Sequence, residues 1–252
     1  MRCDESVVVD TPEAREPMPI RAVSFDWGGV LTGPAVADVR TIESTLGYAH
    51  RQMVEWMFHT GLPPDEPGAV VEDDFALLEK NCITAGEFRD RVLARSADHL
   101  GAAMNLETFN RIWALFEVDA NIKVVNWPMV HFARRLRAQG VRTAILTNQI
   151  VSWREFWRSS VPVEEFDVVV DSCEVGLRKP EAEIMQLTCK LLGVQPQECV
   201  HLDDSKRNIA GAHAVGMEAI LVDPLDPMAA IVATEELLMR ARPSSLAHRE
   251  WL

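Results

Sequence analysis

Asp26, with Gly28 and Gly29 close behind it, is the first of several residues whose types and spacing could do chemistry. It follows an apolar run that reads as a buried strand, and the glycines let the backbone turn sharply and approach a bound anion. Thr147 and Asn148 end a second such run, and Asp203 and Asp204 end a third. Lys179 stands directly before Pro180, at the expected start of a helix, where the dipole favours an anion. Converging carboxylates repel one another in a buried site and are tolerated when a divalent cation sits between them. Oxygen ligands alone point to Mg²⁺ rather than zinc. A hydroxyl, an amide, a lysine and a metal ion together make a cradle for a phosphoryl group, with Asp26 as an in-line nucleophile. Taken singly, the Asp26 stretch reads equally as a plain strand-turn, Thr147-Asn148 more often as a helix cap, Lys179 more often as a surface lysine, and Asp203-Asp204 also as a solvated strand-end turn.

The elements that must position these groups are legible in the apolar periodicity. After the first strand, the pattern is helical over 35–46, 52–59, 75–80, 87–100 and 106–117, with a breaker cluster at 61–68 and a capping box from Thr84 to Glu87. No strand signal interrupts this block. From Trp127 onward helices and strands alternate: helix 128–138, strand 142–146, helix 152–158, strand 166–170, helix 180–192, strand 199–202, helix 206–215, strand 218–222 and helix 227–240. Alternation of this kind implies βαβ units and a parallel sheet with all strand C-termini on one edge. The expected fold is therefore α/β, a Rossmann-like doubly wound parallel sheet with an inserted all-helical cap. The expected organisation is a flexible tail over 1–19, a core over 20–33 and 122–242, the cap over 34–121, and a second tail over 243–252.

A net charge of −13 in 252 residues argues against nucleic acid or an anionic membrane as partner. An anionic substrate would need a local positive site, such as a metal ion with a lysine. Five scattered cysteines (Cys3, Cys82, Cys173, Cys189 and Cys199) form no C-x-x-C and suit reduced thiols. The N-terminal stretch lacks the basic and apolar regions of a signal peptide, and no apolar run approaches membrane-spanning length, so a cytoplasmic location is expected. Trp153 and Trp157 lie one helical turn apart and read as a packing stripe, as do Trp56 and Trp113; all could also line an apolar pocket. His201 and His213 read as structural, and Arg178 as a solvated side chain.

The order Phe25-Asp26-Trp-Gly-Gly-Val-Leu, Leu146-Thr147-Asn148, Lys179-Pro180 and Leu202-Asp203-Asp204, with Asn208 and Gly216, resembles the four motifs of the haloacid dehalogenase (HAD) superfamily. The match covers about residues 23–222. Asn126-Trp-Pro-Met-Val, Thr143-Ala-Ile-Leu-Thr-Asn148, Phe166-Asp-Val-Val-Val-Asp-Ser-Cys173 and Gly176-Leu-Arg-Lys-Pro180 further resemble the phosphatase domain of soluble epoxide hydrolase and the HAD domain of some acyl-CoA dehydrogenase family proteins. The resemblance implies that Asp26 attacks phosphorus and becomes an aspartyl phosphate. It implies that Asp26, Asp204 and the backbone carbonyl of Gly28 bind Mg²⁺, with Asp203 supporting the metal. By the same resemblance Thr147 and Asn148 hold phosphoryl oxygens, Lys179 balances charge on Asp26 and the phosphate, and Asn208 fixes the metal-binding loop. The implied substrate is a small phosphorylated metabolite.

One position departs from the pattern. Most HAD phosphatases carry a second aspartate two residues after the nucleophile, and here that position is Gly28. General acid–base help is worth about 10²–10⁴ in rate. Several readings stay open. One is a leaving group that needs little protonation, as in an anomeric or acyl phosphate, and a second is an acid from the cap such as His50, His59 or Asp38. A third is a different reaction on the scaffold, dehalogenation or phosphonate hydrolysis, the latter needing a Schiff-base lysine for which Lys80 is the one candidate in the cap. A fourth is a non-catalytic phosphate-ligand or protein-binding module.

Overall fold

The computed structural model describes residues 18–34, 39–49, 52–58, 73–97, 103–122 and 124–240. His50, His59, Asp38, the 61–68 breaker cluster and the 243–252 tail lie outside the described residues. Five strands, β1 (Ala22–Phe25), β2 (Arg142–Thr147), β3 (Val168–Asp171), β4 (Cys199–Asp203) and β5 (Glu218–Leu221), form one sheet in the order β3-β2-β1-β4-β5. All neighbours are parallel, with Ser24 opposite both Ala144 and His201.

The sheet is covered on both faces, as a parallel sheet must be. Alternate residues along each strand point to opposite faces. Val23 and Phe25 of β1, Ile145 of β2, and Val200 and Leu202 of β4 pack in one apolar cluster. That cluster takes in Met129, Phe132, Ala133 and Leu136 of α6 (Trp127–Ala138), Trp157 of α7 (Arg154–Ser160), and Ala230 and Ile231 of α11 (Pro227–Arg240). Ala22, Ala144, Leu146 and Cys199 face the other way. There they meet Ile184, Met185, Cys189 and Leu192 of α9 (Ala182–Leu192), which follows the short α8 (Ser172–Val175), and Ala212 of α10 (Lys206–Ala214). The doubly wound α/β fold expected from the alternation is thus the observed one.

The helices between β1 and α6 build a third cluster of their own. They are α1 (Val39–Leu46), α2 (Gln52–Phe58), α3 (Asp74–Glu79), α4 (Ala85–Ala97) and α5 (Leu106–Ile122). Met53, Trp56, Met57, Phe88, Val92 and Ile112 are its buried centre, and Phe109 stacks on Trp113 with ring centroids 5.7 Å apart. Ile150 and Trp153, which follow β2, join this cluster from the sheet side. The two ends of the segment are held together: Thr32 bridges Val125, Gly33 N–H donates to the Val124 carbonyl at 2.8 Å, and Asn126 N–H donates to the Leu31 carbonyl at 2.9 Å. The Thr84–Glu87 capping box forms as expected, with Thr84 N–H donating to Glu87 Oε2 at 2.8 Å and Glu87 N–H donating to Thr84 Oγ1 at 3.1 Å.

Two local expectations are corrected. Helix α9 starts at Ala182 with Glu181 as N-cap, so Pro180 precedes the helix rather than opening it. The cause is a turn in which Glu181 N–H donates to the Arg178 carbonyl at 2.9 Å. Arg178 is buried, 6% exposed, because Glu79 of α3 accepts from its guanidinium Nε at 2.7 Å. No helix among the described residues is long and apolar enough to cross a membrane.

Candidate active site

Chain order runs from β1 through β2 to β3 on one side of the sheet, then crosses to β4 and β5 on the other. In open α/β sheets ligands bind at such a reversal, beyond the strands' carboxyl ends. Asp26 directly follows β1, Thr147 ends β2 and Asp203 ends β4. The polar residues singled out by their spacing therefore meet at one edge.

Asp26 sits in extended backbone, and its Oδ1 accepts from Trp27 N–H at 2.6 Å. Lys179 is almost fully buried, and its Nζ lies 2.8 Å from Asp26 Oδ1 and 2.6 Å from Asp203 Oδ2. An ammonium has three donors, so one remains after these two contacts. Asp203 is saturated: its Oδ1 accepts from Ser205 N–H at 2.9 Å and Asn208 Nδ2 at 2.9 Å, and its Oδ2 lies 3.0 Å from His201 Nε2. His201 Nδ1 lies 2.9 Å from Ser24 Oγ, inside the sheet. Burial works to raise the Asp203 carboxyl, but Lys179 and His201 outweigh it and hold the group well below the usual carboxylate range. Burial works to lower Lys179, yet Asp203 and Asp26 keep it above its ordinary value. For Asp26 burial prevails, and the carboxyl stands above the usual range despite the pull of Lys179.

Lys179 is held from its backbone. Its N–H donates to Asn148 Oδ1 at 2.8 Å, and its carbonyl accepts from Asn148 Nδ2 at 3.0 Å. Gly211 of α10 lets the helix come against the next residue, since a Cβ there would lie 2.6 Å from the Pro180 carbonyl oxygen. The lysine's charge thus points into the carboxylate cluster instead of serving a helix terminus, as the displaced start of α9 requires.

Carboxylate oxygens of Asp26, Asp203 and Asp204 lie within 4.8 Å of one another. Gly29, at φ +70°, makes room for Asp204, because a Cβ there would stand 2.1 Å from Asp204 Oδ2. The cluster's oxygen donors fit a hard divalent cation. Asp203 is spent on its own hydrogen bonds, which leaves its oxygens little capacity for a cation.

A cavity of about 220 Å³ opens over this cluster. Its polar wall is Asp26, Thr147, Asn148, Gln149, Lys179 and Asn208; Trp27, Gly28, Phe116 and Trp153 complete it. Phe116 comes from α5, so the helical segment contributes to the wall. The two tryptophans taken as one stripe separate. Trp157 is buried in the core and donates to Asp171 Oδ2 at 3.1 Å, whereas Trp153 faces the cavity. Motif reading passed over Ser24 and Gln149, and it took His201 as structural without naming its partners. A serine and a histidine in otherwise apolar buried strands were a usable signal, since buried polar groups need partners. Gln149 carried none.

Fold and site together define an α/β enzyme scaffold with an acidic, lysine-bridged site at the sheet's switch point. The chain belongs to the haloacid dehalogenase-like hydrolases, whose family model matches residues 20–216. It is 30% identical over 214 residues to the rat protein "Bifunctional epoxide hydrolase 2", covering 81% of this chain and 37% of the relative, so it spans well under half the length of that protein. It is 31% identical over 216 residues to "Phosphatase MT3486" of Mycobacterium tuberculosis, covering 82% of this chain and 88% of that one. Among solved structures, a HAD family enzyme from Bacteroides thetaiotaomicron in complex with magnesium and inorganic phosphate shares the fold, with a TM-score of 0.54 at 20% identity, covering 81% of this chain and 94% of that one.

Proposed function

We propose that this protein hydrolyses a phosphate monoester of a small metabolite, with Mg²⁺, through an aspartyl phosphate on Asp26. The observation that carries the reading is the placement of Asp26: buried at the switch point, bridged by Lys179 and opening on a cavity with a polar wall. Relatives named as phosphatases support it, among them a phosphoglycolate phosphatase from Chromobacterium violaceum at 28% identity over 81% of this chain.

Asp26 attacks phosphorus with one carboxylate oxygen, and the alkoxide leaves with the electron pair of the broken P–O bond and takes a proton from water. Lys179 opposes the effect of burial on Asp26, favouring its ionised form, and has one N–H left for a phosphoryl oxygen. The Thr147 hydroxyl donates to another. Asn148 acts by bracing the backbone of Lys179, and Asn208 by holding Asp203. Mg²⁺, held by Asp26, Asp204 and the Gly28 carbonyl with Asp203 in support, would supply positive charge to the phosphoryl oxygens. The helices over 34–121 form the cap, and Phe116 makes it part of the substrate wall. Lys80 pairs with Glu181 at 3.3 Å and does not line the cavity, which speaks against a Schiff-base reaction.

Turnover of a chromogenic aryl phosphate with and without Mg²⁺, with Asp26→Asn as control, tests the reading. An aryl leaving group needs little protonation, so the missing acid at position 28 does not mask activity. Absence of Asp26-dependent turnover there and on a panel of phosphorylated metabolites would favour a binding module.

A further inference from the structure

Hydrolysis of an aspartyl phosphate needs a water molecule aimed at phosphorus, and Gly28 offers no side chain to aim it. Among the described residues lining the cavity, the titratable ones are Asp26 and Lys179, which are already paired with each other. The carboxamide of Asn148 is committed to the Lys179 backbone through both its oxygen and its nitrogen. Asn208 is committed to Asp203. Gln149 is the cavity-lining carboxamide tied neither to the Lys179 backbone nor to Asp203.

Gln149 is 4% exposed and held firmly. Its N–H donates to Ser172 Oγ at 2.8 Å, and its carbonyl accepts from the same hydroxyl at 3.1 Å. Its Nε2 donates to Thr147 Oγ1 at 3.2 Å. That leaves Oε1 and a second amide hydrogen without a bond to a described residue, and Oε1 is not among the buried polar atoms lacking a partner. The carboxamide therefore presents an acceptor and a donor to the cavity, on a backbone clamped at the end of β2. A glutamine is no base at neutral pH, but it can hold a water by accepting one of its hydrogens, as water-positioning glutamines do in phosphoryl transfer.

We infer that Gln149 positions the hydrolytic water for breakdown of the phosphorylated Asp26, a role that rests on the phosphatase reading above. The water oxygen forms a bond to phosphorus as the bond between phosphorus and the Asp26 oxygen breaks. Asp26 leaves as the carboxylate with the electron pair, and the water's proton ends on the released phosphate. The carboxamide itself neither gains nor loses a proton.

The test is rapid-quench trapping of the phosphoenzyme from an aryl phosphate, followed by its decay after substrate is removed, in wild type, Gln149→Leu and Gln149→Glu. Thermal melting of each variant checks that the fold is retained. Gln149→Leu is expected to slow decay about tenfold or more while slowing formation less, so that labelled protein accumulates. Gln149→Glu, which keeps an acceptor and adds a base, is expected to decay faster than Gln149→Leu. Equal slowing of formation and decay, or decay unchanged in Gln149→Leu, overturns the role of Gln149 and leaves the phosphatase reading standing. A wild type with no Asp26-dependent label overturns both.

Discussion

Glu79→Ala is the perturbation that most directly tests how the helical segment holds the lysine loop. Glu79 ends α3, and Arg178 precedes Lys179 in the chain, 99 residues away. The Arg178 guanidinium approaches Glu79 Oε2 through both Nε and an Nη, each at 2.7 Å, with both side chains at most 10% exposed. Burial pushes the Glu79 carboxyl above its ordinary range in spite of Arg178, so ionising this pair inside the protein is already costly. Truncating Glu79 strands a buried guanidinium. Loss of one partner from a buried pair costs about 3–5 kcal/mol. Asp73 lies close enough to feel the Arg178 charge and remains in the variant, which sets the expectation at the low end, about 3 kcal/mol. At about 2–4 °C per kcal/mol for a chain of this size, Tm should fall by roughly 6–12 °C. Differential scanning calorimetry of wild type and variant measures it. The double replacement Glu79→Leu with Arg178→Met removes both charges and should recover most of the loss. A Glu79→Ala melting point within about 2 °C of wild type, a loss of 1 kcal/mol or less, would mean that the guanidinium is not stranded and that Glu79 is not its main partner.

Three further outcomes are expected. Gly29→Ala places a Cβ against Asp204 at a backbone φ of +70°, so the Mg²⁺ concentration giving half-maximal turnover should rise about tenfold or more, by about 1.4 kcal/mol; an unchanged Mg²⁺ titration would remove Asp204 from the cation site. Gly28 has φ −72° and ψ 129°, which any residue adopts, so Gly28→Asp is tolerated by the backbone and should raise turnover of simple alkyl phosphates by about 10²-fold or more; steady-state kinetics on an alkyl and an aryl phosphate, with the gain confined to the alkyl one, checks it. The Asp203 carboxyl is depressed in the folded state, so its stabilisation is fully present above the ordinary aspartate value of about 3.9 and is lost as pH falls below it toward the folded value. Urea midpoints between pH 2 and pH 7 should therefore drop on the acid side, and Asp203→Asn should flatten that limb.

The motif residues were legible because each sits at the end of an element that announces itself locally. Asp26, Thr147 and Asp203 follow short apolar runs, and the alternation of runs with amphipathic stretches implies a parallel sheet whose strand ends share an edge. The helices between β1 and α6, which build a cluster of their own, were likewise readable from successive helical periods with no strand signal between them. What escaped was every feature made by partners distant in the chain. Arg178 looked solvated because nothing nearby in sequence predicts Glu79 beside it. Lys179 looked like a helix-terminal charge, and only folding shows it sunk between Asp26 and Asp203. Ser24 and His201 meet across a register, 177 residues apart, that periodicity does not report. Trp153 and Trp157 share a helical stripe yet take opposite duties, because sheet and helical segment close over them from different sides. Residue types and their order along the chain thus determined the scaffold and which polar groups stand at the strand ends. Which charges are buried, which amides are spent and which remain open to the cavity was decided by tertiary structure, since those depend on desolvation and on contacts between elements that local sequence does not encode.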